Sequence, residues 1–195
     1  MIEPDAAQLI DRCSAGEEEA VTQLVQSNQA AIFRLALSIM DDSAEADEAT
    51  QETFLAALRN LRSYRGGSSL RTWLFAIAVN VCRSRLRQRR TWSRLQELLL
   101  GAWPGGDNTV QPEAAAAQRE TEQAVWKAVQ ALGEKHRLPV ILRYYHDLPV
   151  AEIAGVLGIS EGTVHSRLST ARDRLRTALK SAPALSSEGE PRWQR

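Results

Sequence analysis

Apolar side chains recur three and four positions apart along most of this chain, the spacing that puts them on one face of a helix. Between residues 17 and 40 the stripe comprises Ala20, Leu24, Ile32, Leu35, Ala36 and Ile39 and predicts a long amphipathic helix. A shorter helix opens at Pro4-Asp5, carries Leu9 and Ile10, and is interrupted near Ala15-Gly16. Asp41-Asp42-Ser43 ends the long helix, and Asp42 followed three residues later by Glu45 has the form of a capping box. The helix it starts is expected to run to about Asn60, with Phe54, Leu55 and Leu58 toward the core. Tyr64-Arg65-Gly66-Gly67-Ser68-Ser69 is a loop by composition. From Leu70 to about Arg90 a further helix turns Trp73, Leu74, Ile77, Ala78 and Val81 inward and fills its other faces with arginine.

The periodicity then stops. Residues 101–117, GAWPGGDNTVQPEAAAA, hold two of the seven prolines and three glycines, the composition of an interdomain linker. Trp92, Leu95, Leu98, Leu99 and Trp103 form an apolar patch around its start. Helical spacing resumes near Gln118 with Val125, Val129 and Leu132, and another helix is expected from about Glu134 to Tyr145. The tail beyond Ser181 is polar. The expected fold class is all-α: two small helical domains, 1–92 and 118–181, joined by a flexible linker at 93–117 and followed by a disordered tail at 182–195.

Residues 150–175, VAEIAGVLGISEGTVHSRLSTARDRL, have the form of a helix-turn-helix. Ile153, Ala154 and Leu157 share one face of a first helix, and Ala154 is small where two helices cross steeply. Gly158 stands where a chain leaving a helix needs a left-handed residue. Ser160 can cap a second helix, and Val164 and Leu168 continue the buried seam. The outer face of that second helix carries Thr163, His165, Ser166, Arg167, Ser169, Thr170 and Arg172, side chains suited to phosphates and base edges. An ordinary helical hairpin would show the same apolar seam. The Gly-Ile-Ser turn at its fixed offset favours DNA binding.

Net charge is zero, which by itself argues against a nucleic-acid partner, but the charge is segregated. Residues 1–58 hold two basic residues against twelve acidic, whereas residues 59–95 hold ten arginines and no acid. Two surfaces with different partners follow, one for a basic protein and one for a polyanion. Some of this charge can pair within the fold, but the run from Arg83 to Arg94 is too dense to be matched internally. Cys13 and Cys82 are too few and too far apart for a disulfide framework or zinc knuckle, and read as small core residues. His136, His146 and His165 show no metal-ligand clustering, so no metal and no cofactor is expected. No apolar run reaches membrane-spanning length and the N-terminus is acidic rather than signal-like, so no membrane insertion and cytoplasmic residence are expected.

Three separated motifs, DEATQETFLAAL (47–58), YRGGSSLRTWLFAIAVN (64–80) and the helix-turn-helix, together resemble the sigma-70 family. The order and spacing are similar to its shortest class, the extracytoplasmic-function sigma factors, which keep only the second and fourth conserved regions. The resemblance implies a promoter-recognition subunit of bacterial core RNA polymerase, with no catalytic residues of its own. It implies that Asp47, Glu48, Gln51 and Glu52 grip a basic coiled coil of the polymerase's largest subunit. It implies that Arg62, Tyr64, Arg65, Gly67, Ser68, Ser69, Arg71, Asn80 and Arg83 open and hold the −10 promoter element, with Tyr64 as a stacking face and Trp73 in the core. Arg85, Arg87, Arg89 and Arg90 are expected to join Arg83 on phosphates. The −35 element falls to Ser160, Glu161, Thr163, His165, Ser166, Arg167, Ser169, Thr170 and Arg172, with Arg167 either on DNA or bracing its helix. Many relatives carry a basic residue in place of His165 and of Thr170; a neutral imidazole offers one hydrogen bond where an arginine offers a fork. Sigma factors of this kind are usually held by an anti-sigma protein, a further expected partner. A regulator of the LuxR type would share the terminal motif but has no use for a strand-opening loop. A nuclease would need a carboxylate or histidine constellation that the chain lacks.

Overall fold

The structure is a computed structural model, and it describes residues 4–100 and 116–180. Those residues are helical with irregular connections and contain no strand. They divide into two compact units. The first comprises α1 (Pro4–Ser14), α2 (Glu18–Met40), α3 (Ser43–Arg59) and α4 (Leu70–Leu100). Helices α2, α3 and α4 pack against one another, and α1 lies on α2. Leu24, Ile32, Leu35, Ile39, Leu74, Phe75 and Val79, each at most 2% exposed, form the centre of this core. Each such side chain contributes about 1.5–3 kcal/mol by leaving water.

Local chemistry explains the boundaries. Asp41 closes α2 in the left-handed region (φ 59°), donating its N–H to the Leu37 carbonyl at 2.9 Å. Asp42 then caps α3, its carboxylate accepting from the Glu45 N–H at 2.9 Å. The return half of the expected capping box is replaced: the Glu45 carboxylate turns to Arg85. Ala46, Ala49 and Ala57 are fully buried and let α3 approach its neighbours closely. Thr50 and Thr53 are buried beside them, each hydroxyl donating to the carbonyl four residues back at 2.7 and 2.6 Å.

Three expectations need correction here. Leu55 is 54% exposed rather than in the core. Residues 46, 49, 50, 53, 54 and 57 occupy one arc of α3, and at about 100° per residue Leu55 falls opposite its centre. Trp73 and Ile77 are only half-buried, while Phe75 and Val79 take the core positions on α4. The helix expected from Leu70 to about Arg90 is longer, because α4 runs on to Leu100; α5 begins at Ala116. No glycine or proline stands between Leu70 and Leu100 to stop the helix. The apolar patch of Trp92, Leu95, Leu98, Leu99 and Trp103, the centre of the linker and the tail at 182–195 lie outside the described side chains and residues.

The second unit contains α5 (Ala116–Gln130), α6 (Glu134–Val140) and α8 (Glu161–Lys180), which pack together. Val129, Leu138, Val140, Leu142, Val164, Leu168 and Leu175 are buried. The single helix expected at 134–145 changes pitch: after Pro139 it widens into a π-helical turn over Ile141–Tyr145. Proline lacks the N–H and crowds the carbonyl four residues back, which loosens the helix just ahead of the wider turn. The Leu148 N–H bonds the Leu142 carbonyl at 3.0 Å and ends the turn before α7 (Val150–Leu157). Among the described residues no helix is long and apolar enough to cross a membrane.

Candidate nucleic-acid and protein interfaces

Helix α3 presents its polar arc to solvent. Asp47, Glu48, Gln51 and Glu52 are all exposed, and Leu55 lies at the centre of the arc they define. Gln51 donates to the Asp47 carboxylate at 3.0 Å, an i,i+4 pair that steadies both side chains. At the edge nearest α4, Arg85 gathers the remaining carboxylates. Its Nε and Nη2 reach Glu45 Oε2 at 3.1 and 3.0 Å, Nη1 reaches Glu52 Oε2 at 3.3 Å, and Nη2 also bonds Glu48 Oε2. Burial alone would lower the guanidinium's pKa, but its hydrogen bonds to Glu48 and Glu45 outweigh that and the net shift is upward. Arg85 is therefore committed to the acidic helix and not to phosphate, a correction to the sequence-based expectation. Helix packing is the reason: Arg85 falls on the same side of α4 as buried Leu74, Ala78 and Cys82.

The other side of α4 forms a second surface. At about 100° per residue, Trp73, Ile77, Asn80, Arg83 and Arg87 follow one another along it. Asn80 and Arg87 are exposed, and Trp73 and Arg83 are half-exposed. The loop ahead of α4 folds over its start. Tyr64 donates its hydroxyl to the Ser68 carbonyl at 3.0 Å, and its ring centroid is 5.6 Å from that of Trp73 at 60°. Gly66 takes φ 69°, which lets the loop reverse within that short span. Ser69 acts as the helix cap, accepting from the Thr72 N–H at 3.1 Å with its hydroxyl 2.7 Å from that of Thr72. Arg62, Arg65, Gly67 and Ser68 are exposed around this loop. Arg71 is exposed but faces away from Asn80, its guanidinium 5.0 Å from the centre of the Phe75 ring. Cys82 is fully buried on this helix, and burial pushes its thiol up to about 12; Cys13 is shifted in the same direction by the same cause. Neither thiol is reactive in this state.

Helix α7, the turn after it and α8 each take the expected local form. Ile153, Ala154 and Leu157 are buried on α7, as are Val164 and Leu168 on α8. Gly158 adopts φ 65°, and the Ile159 N–H bonds the Ala154 carbonyl at 3.1 Å, closing α7. Ser160 caps α8 by accepting from the Thr163 N–H at 3.2 Å. The predicted DNA-facing residues then separate. Glu161, His165, Ser166, Ser169 and Arg172 are exposed, whereas Thr163, Arg167 and Thr170 are half-buried along a cleft toward Lys135 and His136 of α6. His136 is buried, its Nδ1 3.4 Å from the Arg167 carbonyl. Burial lowers its pKa from the usual histidine value, and the charges of Arg174, Lys135 and Arg167 add to that effect against the opposing Arg167 carbonyl. Sequence reading missed Lys135 and His136, because no local pattern announces which α6 residues meet α8. Among the described residues no group of histidine, cysteine, aspartate and glutamate has a metal-binding arrangement.

Comparison with known proteins agrees with this geometry. The Sigma-70 region 2 model matches residues 24–91, spanning most of α2, α3, the loop and most of α4. The Sigma-70 region 4 model matches residues 122–175, ending within α8. The chain belongs to the sigma-70 family. It is a member of the extracytoplasmic-function branch. It is 33% identical to the RNA polymerase sigma-H factor of Pseudomonas aeruginosa over 89% of this chain and 93% of that one. It is 34% identical to the ECF RNA polymerase sigma factor SigM of Mycobacterium tuberculosis, over 87% of this chain and 82% of that one. Among solved structures, RpoE of Bartonella quintana in complex with the anti-sigma factor NepR is 26% identical, with a TM-score of 0.62 over 82% of this chain and 96% of that one. The fold is also that of CnrH in complex with the cytosolic domain of CnrY, with 24% identity and a TM-score of 0.65 over 90% of this chain and 97% of that one.

Proposed function

We propose that the three surfaces divide the work of a sigma factor, with α3 held by core polymerase, α4 and its loop on the −10 element, and α8 on the −35 element. Sigma factors are initiation factors without catalytic chemistry, and this chain functions as one. The observation that carries the assignment of surfaces is the arrangement of α3 and α4 in one compact unit. An acidic arc faces outward on one helix, and an aromatic, asparagine and arginine face lies on the other.

For docking, Asp47, Glu48, Gln51 and Glu52 supply charge and Leu55 supplies apolar area at the centre of the patch. A rim of charge around a small apolar centre is the composition of a specific protein contact. For strand capture, Tyr64 and Trp73 offer an aromatic floor and Asn80 a paired donor and acceptor. Arg83 and Arg87 follow the backbone of the displaced strand, and Arg62 and Arg65 approach it from the loop. For duplex reading, His165, Ser166, Ser169 and Arg172 enter the groove with Glu161 at its edge. Thr163, Arg167 and Thr170 brace α8 against α6 or meet phosphate at the cleft. An anti-sigma protein is a second partner, a reading supported by the likeness to a sigma factor solved with one. Action on the polymerase supports a cytoplasmic location. The domain boundaries follow the helices: a first domain to the end of α4, a linker, and a second domain from α5 to α8.

The test is transcription in vitro with core polymerase on a promoter library. Selection of paired −35 and −10 sequences only when this chain is added supports the reading. Sequence-specific duplex binding by the isolated chain, unchanged by core enzyme, would favour a regulator of the LuxR type instead.

A further inference from the structure

The structure ties Arg85 of α4 to three carboxylates at once, from 33 to 40 residues away in the chain. Every one of these bonds goes to the Oε2 atom of its glutamate. Each carboxylate has a second oxygen with its own lone pairs, and the guanidinium leaves it uncommitted. The three partners are not equivalent. Glu45 is the least exposed, its side chain at 35%, and takes two of the four bonds; Glu48 and Glu52 remain 63% and 51% exposed. Without a cation at this point, carboxylates three, four and seven residues apart on α3 would repel and rotate away from each other.

We propose that Arg85 is a positioning residue for polymerase docking, anchored by Glu45, that holds Glu48 and Glu52 as a fixed pair with one oxygen of each turned to the partner. The inference rests on the assignment of α3 as the docking surface. It differs from a simple electrostatic account in the sign of its main prediction. Removing a positive charge from an acidic patch strengthens its attraction for a cationic partner if field alone matters. Removing the brace weakens binding, because the glutamates must then be ordered at the moment of contact.

The experiment measures the affinity of the labelled full chain for core RNA polymerase by competition at fixed ionic strength. Arg85→Gln and Glu45→Gln are each expected to weaken it about two- to fivefold, the range of exposed ion-pair networks. In a Glu48→Gln/Glu52→Gln background neither change is expected to have further effect. Arg85→Lys keeps the charge but loses the planar fork and is expected to restore only part of the affinity. Tighter or unchanged binding by Arg85→Gln overturns the proposal, as does a loss that persists in full without Glu48 and Glu52. Glu45→Gln keeps the inference testable if Arg85→Gln fails to fold. If the Glu48→Gln/Glu52→Gln chain binds core polymerase like the parent, the docking assignment itself falls.

Discussion

Tyr64 offers the sharpest test of the strand-capture surface, because its hydroxyl and its ring can be removed one at a time. Tyr64→Phe deletes the hydroxyl that donates to the Ser68 carbonyl at 3.0 Å and leaves the ring beside Trp73. An exposed hydrogen bond of this kind contributes about 0.5–1 kcal/mol to loop order. Tyr64→Ala also removes a tilted aromatic pair, worth about 0.5–1.5 kcal/mol, and the face on which a base would stack, worth about 1–3 kcal/mol. At about 1.4 kcal/mol per factor of ten, the phenylalanine variant should bind a −10 fork two- to fivefold more weakly as holoenzyme. The alanine variant loses all of these contributions and should bind at least about thirtyfold more weakly. The assay is fluorescence of a 2-aminopurine placed in the −10 non-template strand, with core affinity and duplex −35 binding measured alongside. Both controls should be unchanged, since Tyr64 lies in the loop after α3 rather than on its acidic arc, and sits in the other unit from α8. Promoter opening by Tyr64→Ala at the parental rate would refute an aromatic floor built from this loop.

Further outcomes follow from the same geometry. Glu52→Lys reverses charge on the exposed arc and adds a cation beside Arg85, so core affinity should fall at least tenfold, roughly the scale of an ion pair of about 1–4 kcal/mol turned repulsive, with the melting temperature little changed. Ser160→Ala removes the cap of α8 and should cost about 1 kcal/mol. Thermal unfolding and −35 duplex affinity should both register it, while −10 opening on a preformed bubble should not. His136 is held neutral in the fold with its pKa lowered, whereas the unfolded chain takes up a proton near pH 6.5. Stability is therefore full above about pH 6.5 and should decline as pH falls through the depressed folded value. His136→Gln should flatten that decline in a denaturation series from pH 8 to 5, and an unaltered slope would remove His136 as its source.

Much of the architecture was legible from local signals. The stops at Gly16, Asp41 and Gly158 and the caps at Asp42 and Ser160 each depend on a few adjacent residues, and each stands where the spacing put it. The burial of Ile153, Leu157, Val164 and Leu168 was equally plain. Reading failed where a choice lay between neighbours on one helix. Leu55 and Phe54 are both large and apolar, and only the position of α2 and α4 around α3 decides which is covered. The same applies to Trp73 and Phe75. The length of α4 was underestimated because composition changes near Arg90 while nothing breaks the helix until Gly101.

The order of residues by itself determined an all-helical chain in two parts, an acidic half-domain against a basic one, a capped helix-turn-helix and its membership of the sigma-70 family. Those are properties of spacing, of turn chemistry and of motif, and they survive without knowing what packs on what. Tertiary structure alone decided which arginine of a dense run turns inward. Arg83 and Arg85 are two residues apart and so lie on nearly opposite sides of α4, one on the face of Trp73 and Asn80 and one among the carboxylates of α3. A side chain's partner across 40 residues is set by how two helices are rotated about their axes, and that rotation is fixed by the whole core rather than by any window of sequence.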